Sequence, residues 1–219
     1  MLKTENLISR LCGDLKNPSA SKNWFAQYWS IWTLFALILT ALTYGISVLV
    51  PEEAHLPENL GTSVFKIEVL MWFGVAILSS IIAYLSSVPQ KSKGLLIPMA
   101  FTALTALIAS LFFRFNYAHT VQDFAIEVNL HRAGCGMFIA ASAAISTWTL
   151  FYVMRRAAAP LHVQTTATWA ALSLGAFSAM LMHTVCVHVS AAHIILWHAL
   201  PMTLTVVLAR FTSKTLLRW

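Results

Sequence analysis

The residues with the densest chemistry in this chain run from Met182 to His198: Met182-His183-Thr184-Val185-Cys186-Val187-His188, then Ser190, His193, Trp197 and His198. Met182 stands four residues and His183 three residues before Cys186. On helical spacing the three share one face near a helix end. A thiol, a thioether and imidazoles gathered in this way suit soft or borderline metals such as copper or zinc. The stretch carries no complete metal-spacing signature. A cysteine and a histidine packed between helices, with interfacial imidazoles bonded to water, therefore stands beside the metal reading.

The elements that must position these residues are membrane helices. The chain is 58% hydrophobic and 10% charged, against roughly 25% charged in soluble domains. Six apolar segments lie at about 24–50, 65–87, 95–113, 133–154, 164–187 and 192–212. Each approaches or exceeds the ~20 residues that span a bilayer. Backbone groups in lipid must be paired within the segment, so the runs are expected to be helices rather than strands. The fifth and sixth are joined by so few residues that they are expected to pack antiparallel. The expected fold is all-α: a polytopic membrane protein with six transmembrane helices in a bundle at 24–219, preceded by a polar tail at 1–23.

Lysine and arginine set the orientation. One set of segment ends carries Lys3, Arg10, Lys16, Lys22, Lys91, Lys93, Arg155, Arg156, Arg210, Lys214 and Arg218; the other carries only Lys66, Arg114 and Arg132. Both termini are thus expected in the cytoplasm. The net charge of +6 reads as this loop bias, and no direct nucleic-acid binding is expected. Trp24, Trp29, Trp32, Trp148, Trp169 and Trp219 are expected to form an aromatic belt at the cytoplasmic interface. Within the tail, Leu7, Ile8, Leu11 and Leu15 fall on one helical face, with Thr4 as a cap and Glu5, Arg10 and Asp14 elsewhere. So short a helix needs a protein partner or the membrane surface to pack on.

This topology sorts the chemistry. Cys12 falls inside the cell, whereas Cys135 and Cys186 fall at the same outer depth on consecutive helices. His55, His119, His131, His183, His188 and His193 share that side, and His198 lies a turn and a half into the last helix. Lys66 and Glu68 are charges at the opening of the second helix, where charge is costly unless paired or snorkelled. Arg114 or Arg132 is a candidate partner for Glu68. Pro201 is expected to free a carbonyl and kink the last helix.

With these residues placed, the chain resembles the NrsF-type anti-sigma factors, six-helix inner-membrane proteins that hold an extracytoplasmic-function (ECF) sigma factor inactive. The opening Met1-Leu2-Lys3-Thr4-Glu5-Asn6-Leu7-Ile8 is similar to the family's Lys-Thr-Asp-Asp-Leu-Ile. Phe65-Lys66 is similar to its Trp-x-Lys, Arg132 and Cys135 to its Arg and Cys at the fourth helix, and Cys186 with Trp197 to its second Cys and downstream Trp-Tyr. Leu216-Leu217-Arg218-Trp219 matches its Leu-Leu-Arg-Trp ending. The chain departs from the pattern where Thr184 and Val185 separate His183 from Cys186, and where His198 replaces the aromatic after Trp197.

The resemblance implies a bacterial inner-membrane protein that is not an enzyme. Its tail (Thr4, Glu5, Leu7, Ile8, Leu11, Leu15) would sequester an ECF sigma factor, and its outer cysteines would sense heavy-metal or redox stress. The expected sensing set is Cys135 and Cys186, assisted by His183, His188, His193 and Met182. No cofactor is obligatory; copper or zinc would act as signal. Two other functions remain open. A quinone-linked thiol oxidoreductase would want a second, close-spaced cysteine pair. A metal transporter would want ionisable groups at mid-membrane, where these segments are apolar.

Overall fold

The computed structural model describes residues 18–49, 63–87, 93–115, 133–157, 162–186 and 190–216. All secondary structure among them is helical: α1 (Pro18–Leu49), α2 (Ser63–Ser87), α3 (Lys93–Phe115), α4 (Gly134–Ala157), α5 (Val163–Val185) and α6 (Ala191–Leu216). The helices coincide with the six apolar segments. By length and composition α1, α2, α4, α5 and α6 can each cross a membrane, and α3 carries a shorter apolar stretch, Ile97–Ser110. α1 starts at Pro18, within what the sequence assigns to the tail. Proline suits a first helical turn because its missing N–H would have no intrahelical partner there. The tail residues Thr4, Glu5, Leu7, Ile8, Leu11 and Leu15 lie outside the described residues.

α5 is the centre of the bundle. In its apolar span 78% of the residues are buried, against 17% in α1 and 39–44% in α2, α4 and α6. It packs on α2, α6 and α4 and also touches α1, while α3 lies against α2. Small side chains make this possible: Ala170, Ala171, Ser173, Gly175, Ala176, Ser178 and Ala179 are all buried. Helices in lipid associate by such close approach, since apolar burial gives them no preference for one another over lipid tails. A Cβ at Gly175 would stand 2.7 Å from Met202 Cγ on α6.

Side-chain hydrogen bonds fasten α1 to this core. Tyr28 Oη donates to the Ser80 carbonyl at 2.9 Å. Trp32 Nε1 donates to Ser173 Oγ at 2.8 Å, and Ser173 Oγ donates to the Ala76 carbonyl at 2.8 Å. Trp32 is therefore an interior residue, 6% exposed, and does not belong to the interfacial belt expected from its position. An indole on an otherwise apolar helix goes inward when a hydroxyl there can accept its N–H.

The helix ladder changes just before Pro201. The backbone widens just before it, into a π-helical segment at Ile194–Ala199, and resumes as an α-helix at Leu200. Leu200 N–H bonds the Ile195 carbonyl, five residues back. Proline has no N–H to continue the α ladder, and the bulge is one way to absorb the loss.

Candidate functional site

One end of the bundle gathers the start of α4, the end of α5 and the start of α6. Cys135 is the second residue of α4. Cys186 caps α5 in an extended conformation (φ −75°, ψ 130°), its N–H bonded to the Met182 carbonyl. Ser190 caps α6, its side chain accepting from His193 N–H at 3.1 Å. This cap fixes the first turn of α6 and with it the position of the His193 ring.

These elements bring four ligating residues together. Cys135 Sγ lies 3.4 Å from Cys186 Sγ, and no disulfide joins them. Cys186 Sγ lies 3.4 Å from His193 Nε2. The His193 and His198 rings are 5.5 Å apart between centroids. One donor atom from each of Cys135, Cys186, His193 and His198 lies within 4.8 Å of the others. Donors held ~2.0–2.3 Å from one ion stand ~3.3–3.8 Å apart at tetrahedral angles, so small side-chain adjustments would close the set on a metal. Cys186, His193 and His198 are buried at 3%, 0% and 1% exposure, and Cys135 is half-buried. His198 Nε2 has no hydrogen-bond partner among the described residues. Two thiols and two imidazoles, one of them with an unpartnered buried nitrogen, are a donor set that fits zinc or copper(I).

His198 is the residue that helical spacing misses. In an α-helix, at ~100° per residue, positions five apart point ~140° away from each other. In a π-helix, with i→i+5 bonding, the wider turn brings them nearer to one side. The bulge thus puts His193 and His198 on one side of α6. Its signal in the sequence is Pro201 two residues after Ala199, with a second imidazole five residues after the first.

His183 is not one of the four clustered residues. The α5 helix ends at Val185; Cys186 N–H still makes the helical bond to the Met182 carbonyl, and its ψ of 130° turns the chain away after it. Met182 packs, partly buried, against the hydrophobic core. His183 turns toward α2. Its Nε2 lies 3.2 Å from Glu68 Oε2, and the Phe65 ring lies 5.0 Å from its own. Glu68 and His183 are 2% and 1% exposed. One partner of Glu68 is thus a histidine on the neighbouring helix; the side chains of Arg114 and Arg132, the partners expected, lie outside the described residues, as does His188. His183 also stands edge-on to His198, with 6.0 Å between centroids and 85° between planes. The pair therefore borders the four-ligand cluster without entering it. Lys66, on the first turns of α2, is exposed.

No curated protein and no solved structure matches the chain. The family described as NrsF, negative regulator of sigma F, matches residues 12–219. The match takes in all six helices and both cysteines of the cluster, and with nearly the whole length covered the chain belongs to the NrsF family of negative regulators of a sigma factor.

Proposed function

We propose that this negative regulator is an inner-membrane anti-sigma factor for an ECF-type sigma factor, held through the cytoplasmic tail at 1–23 and released when the Cys135–Cys186–His193–His198 cluster binds a transition-metal ion at the outer face. The observation that carries the reading is the convergence of those four donor atoms within 4.8 Å. The charge bias of the segment ends, carried by Lys91, Lys93, Arg155, Arg156, Arg210 and Lys214 on one side, supports the orientation.

The chemistry is simple. A metal ligand must be a thiolate and a neutral imidazole, so binding releases the Cys135 and Cys186 protons to water. The ion then ties the first turn of α4 to the cap of α5 and the first turns of α6. Transmission follows if the bundle has two arrangements and the ion binds one more tightly. Because α5 touches α1, α2, α4 and α6, a change at its outer end reaches every helix it packs on, including α1, which leads from the tail.

The test is sigma-dependent transcription under added zinc or copper in Cys135→Ser and Cys186→Ser strains, paired with metal binding by the purified proteins. Both substitutions are expected to abolish the response and weaken binding. If both strains respond like wild type, the cluster is structural and the signal enters elsewhere.

The sulfur–sulfur distance of 3.4 Å supports a second trigger. A two-electron oxidant such as a peroxide would take two electrons and the two thiol protons and leave a Cys135–Cys186 disulfide, tying α4 to α5 in the same place. Thiol alkylation before and after oxidant, scored against metal alone, separates the two.

A further inference from the structure

We propose that the cleft between α1 and the α2–α5 pair holds one anionic phospholipid, an acyl chain in the cleft and the phosphate on Lys66. The cleft has a volume of about 610 Å³. Thr40 and Tyr44 of α1 form one wall, Lys66 and Leu70 of α2 and Phe177 and Thr184 of α5 the other. α1 is hydrogen-bonded to the bundle through Tyr28 and Trp32, nearer its start, and buries little of its apolar span.

Charge decides the occupant. Lys66 is exposed at the opening of α2, where a lysine extends its ammonium toward the headgroup layer. Glu68, the nearest acid along the helix, is turned inward onto His183 and does not neutralise it at the cleft. An apolar slot with a cation at its rim complements an amphiphile with an apolar body and a negative end. Free phosphate lacks the body. A zwitterionic lipid brings a second ammonium that Lys66 opposes. A basic residue near an anionic lipid surface contributes ~1 kcal/mol, which is about a fivefold preference.

The experiment is native mass spectrometry of the full chain released from mixed micelles containing equal phosphatidylglycerol and phosphatidylcholine. Wild type is expected to retain one phosphatidylglycerol in preference to phosphatidylcholine by about fivefold. Lys66→Gln is expected to remove that preference. Lys214→Gln, an exposed lysine at the other end of the bundle, is expected to keep it. Leu70→Trp, at an exposed position that tolerates size, and Thr40→Trp, from the opposite wall, are expected to reduce retention of both lipids by filling the slot. No headgroup preference in wild type, equal loss in Lys66→Gln and Lys214→Gln, or full retention in both tryptophan variants would overturn the proposal. The sigma factor and metal are not used, so failure here is independent of the proposed function.

Discussion

A buried polar atom without a partner costs ~1–3 kcal/mol, and His198 Nε2 is such an atom among the described residues. An ion bound with Cys135, Cys186 and His193 through that nitrogen would give it a partner, and His198 is one of the four clustered residues whereas Met182 packs against the core. Removing a ligand should cost more than the ~10–100-fold in metal affinity that loss of an outer partner costs. His198→Ala is thus expected to lower zinc affinity by at least ~100-fold, and Met182→Leu to leave it unchanged, in competition titrations with a chromophoric chelator. Equal affinity in the two variants would remove His198 from the site. The Glu68–His183 pair makes a separate demand. Truncating one member of a buried pair leaves the other uncompensated, at ~3–5 kcal/mol. Glu68→Ala is therefore expected to lower the thermal midpoint in detergent well beyond Glu68→Gln, which can keep the contact to His183. Similar midpoints in the two variants would mean that the pair contributes little to the fold.

Among the elements, α6 carries the feature that geometry needs most and composition conceals. Its π segment inserts the equivalent of one extra residue, so deleting Ile195 should restore a continuous α-helix and turn His193 by about 100° relative to His198 and the rest of α6. Metal affinity is expected to fall as far as in His198→Ala, while helix content and membrane insertion persist. Circular dichroism and the chelator titration check this together; wild-type affinity in the deletion would show that the bulge does not assemble the site. The neighbouring helix leaves no slack. A Cβ at Gly136 would lie 2.8 Å from Trp197 Cε3 and 3.3 Å from the Trp197 carbonyl oxygen, so α4 meets α6 here through bare backbone. Long apolar runs made the six helices legible, because a segment near ~20 apolar residues has few alternatives. The same runs say nothing of a one-residue change in helical register, nor of which helix faces Glu68. Those are decided by packing between segments far apart in the chain, and the 115 positions that separate Glu68 from His183 leave no local pattern to read.

At the scale of the whole molecule, the cluster and the tail must lie on opposite sides of the membrane for the proposed function to work. The described residues support this geometrically: the cluster is at the start of α4, whereas Pro18, where the tail meets α1, leads toward Tyr28 and its partner Ser80, near the far end of α2. In the proposed function the tail would be separated from the signal by the length of α1, and its hold on the sigma factor would depend on its own apolar stripe. Burying a large side chain contributes ~1.5–3 kcal/mol, so burial of Leu7, Ile8, Leu11 and Leu15 against the sigma factor would offset the cost of ordering so short a segment. Leu11→Asp replaces that burial with a carboxylate, which pays desolvation on entering the interface. Each 1.4 kcal/mol is tenfold in affinity, and recovery of the sigma factor in co-purification is expected to fall by at least tenfold while metal binding at the far end stays as in wild type. A sigma factor recovered equally with Leu11→Asp and wild type would move its binding surface off the stripe and onto the cytoplasmic ends of the helices. Loss of metal binding as well would mean that the substitution had damaged the bundle, and the stripe would then be tested with Leu7→Asp under the same two readouts.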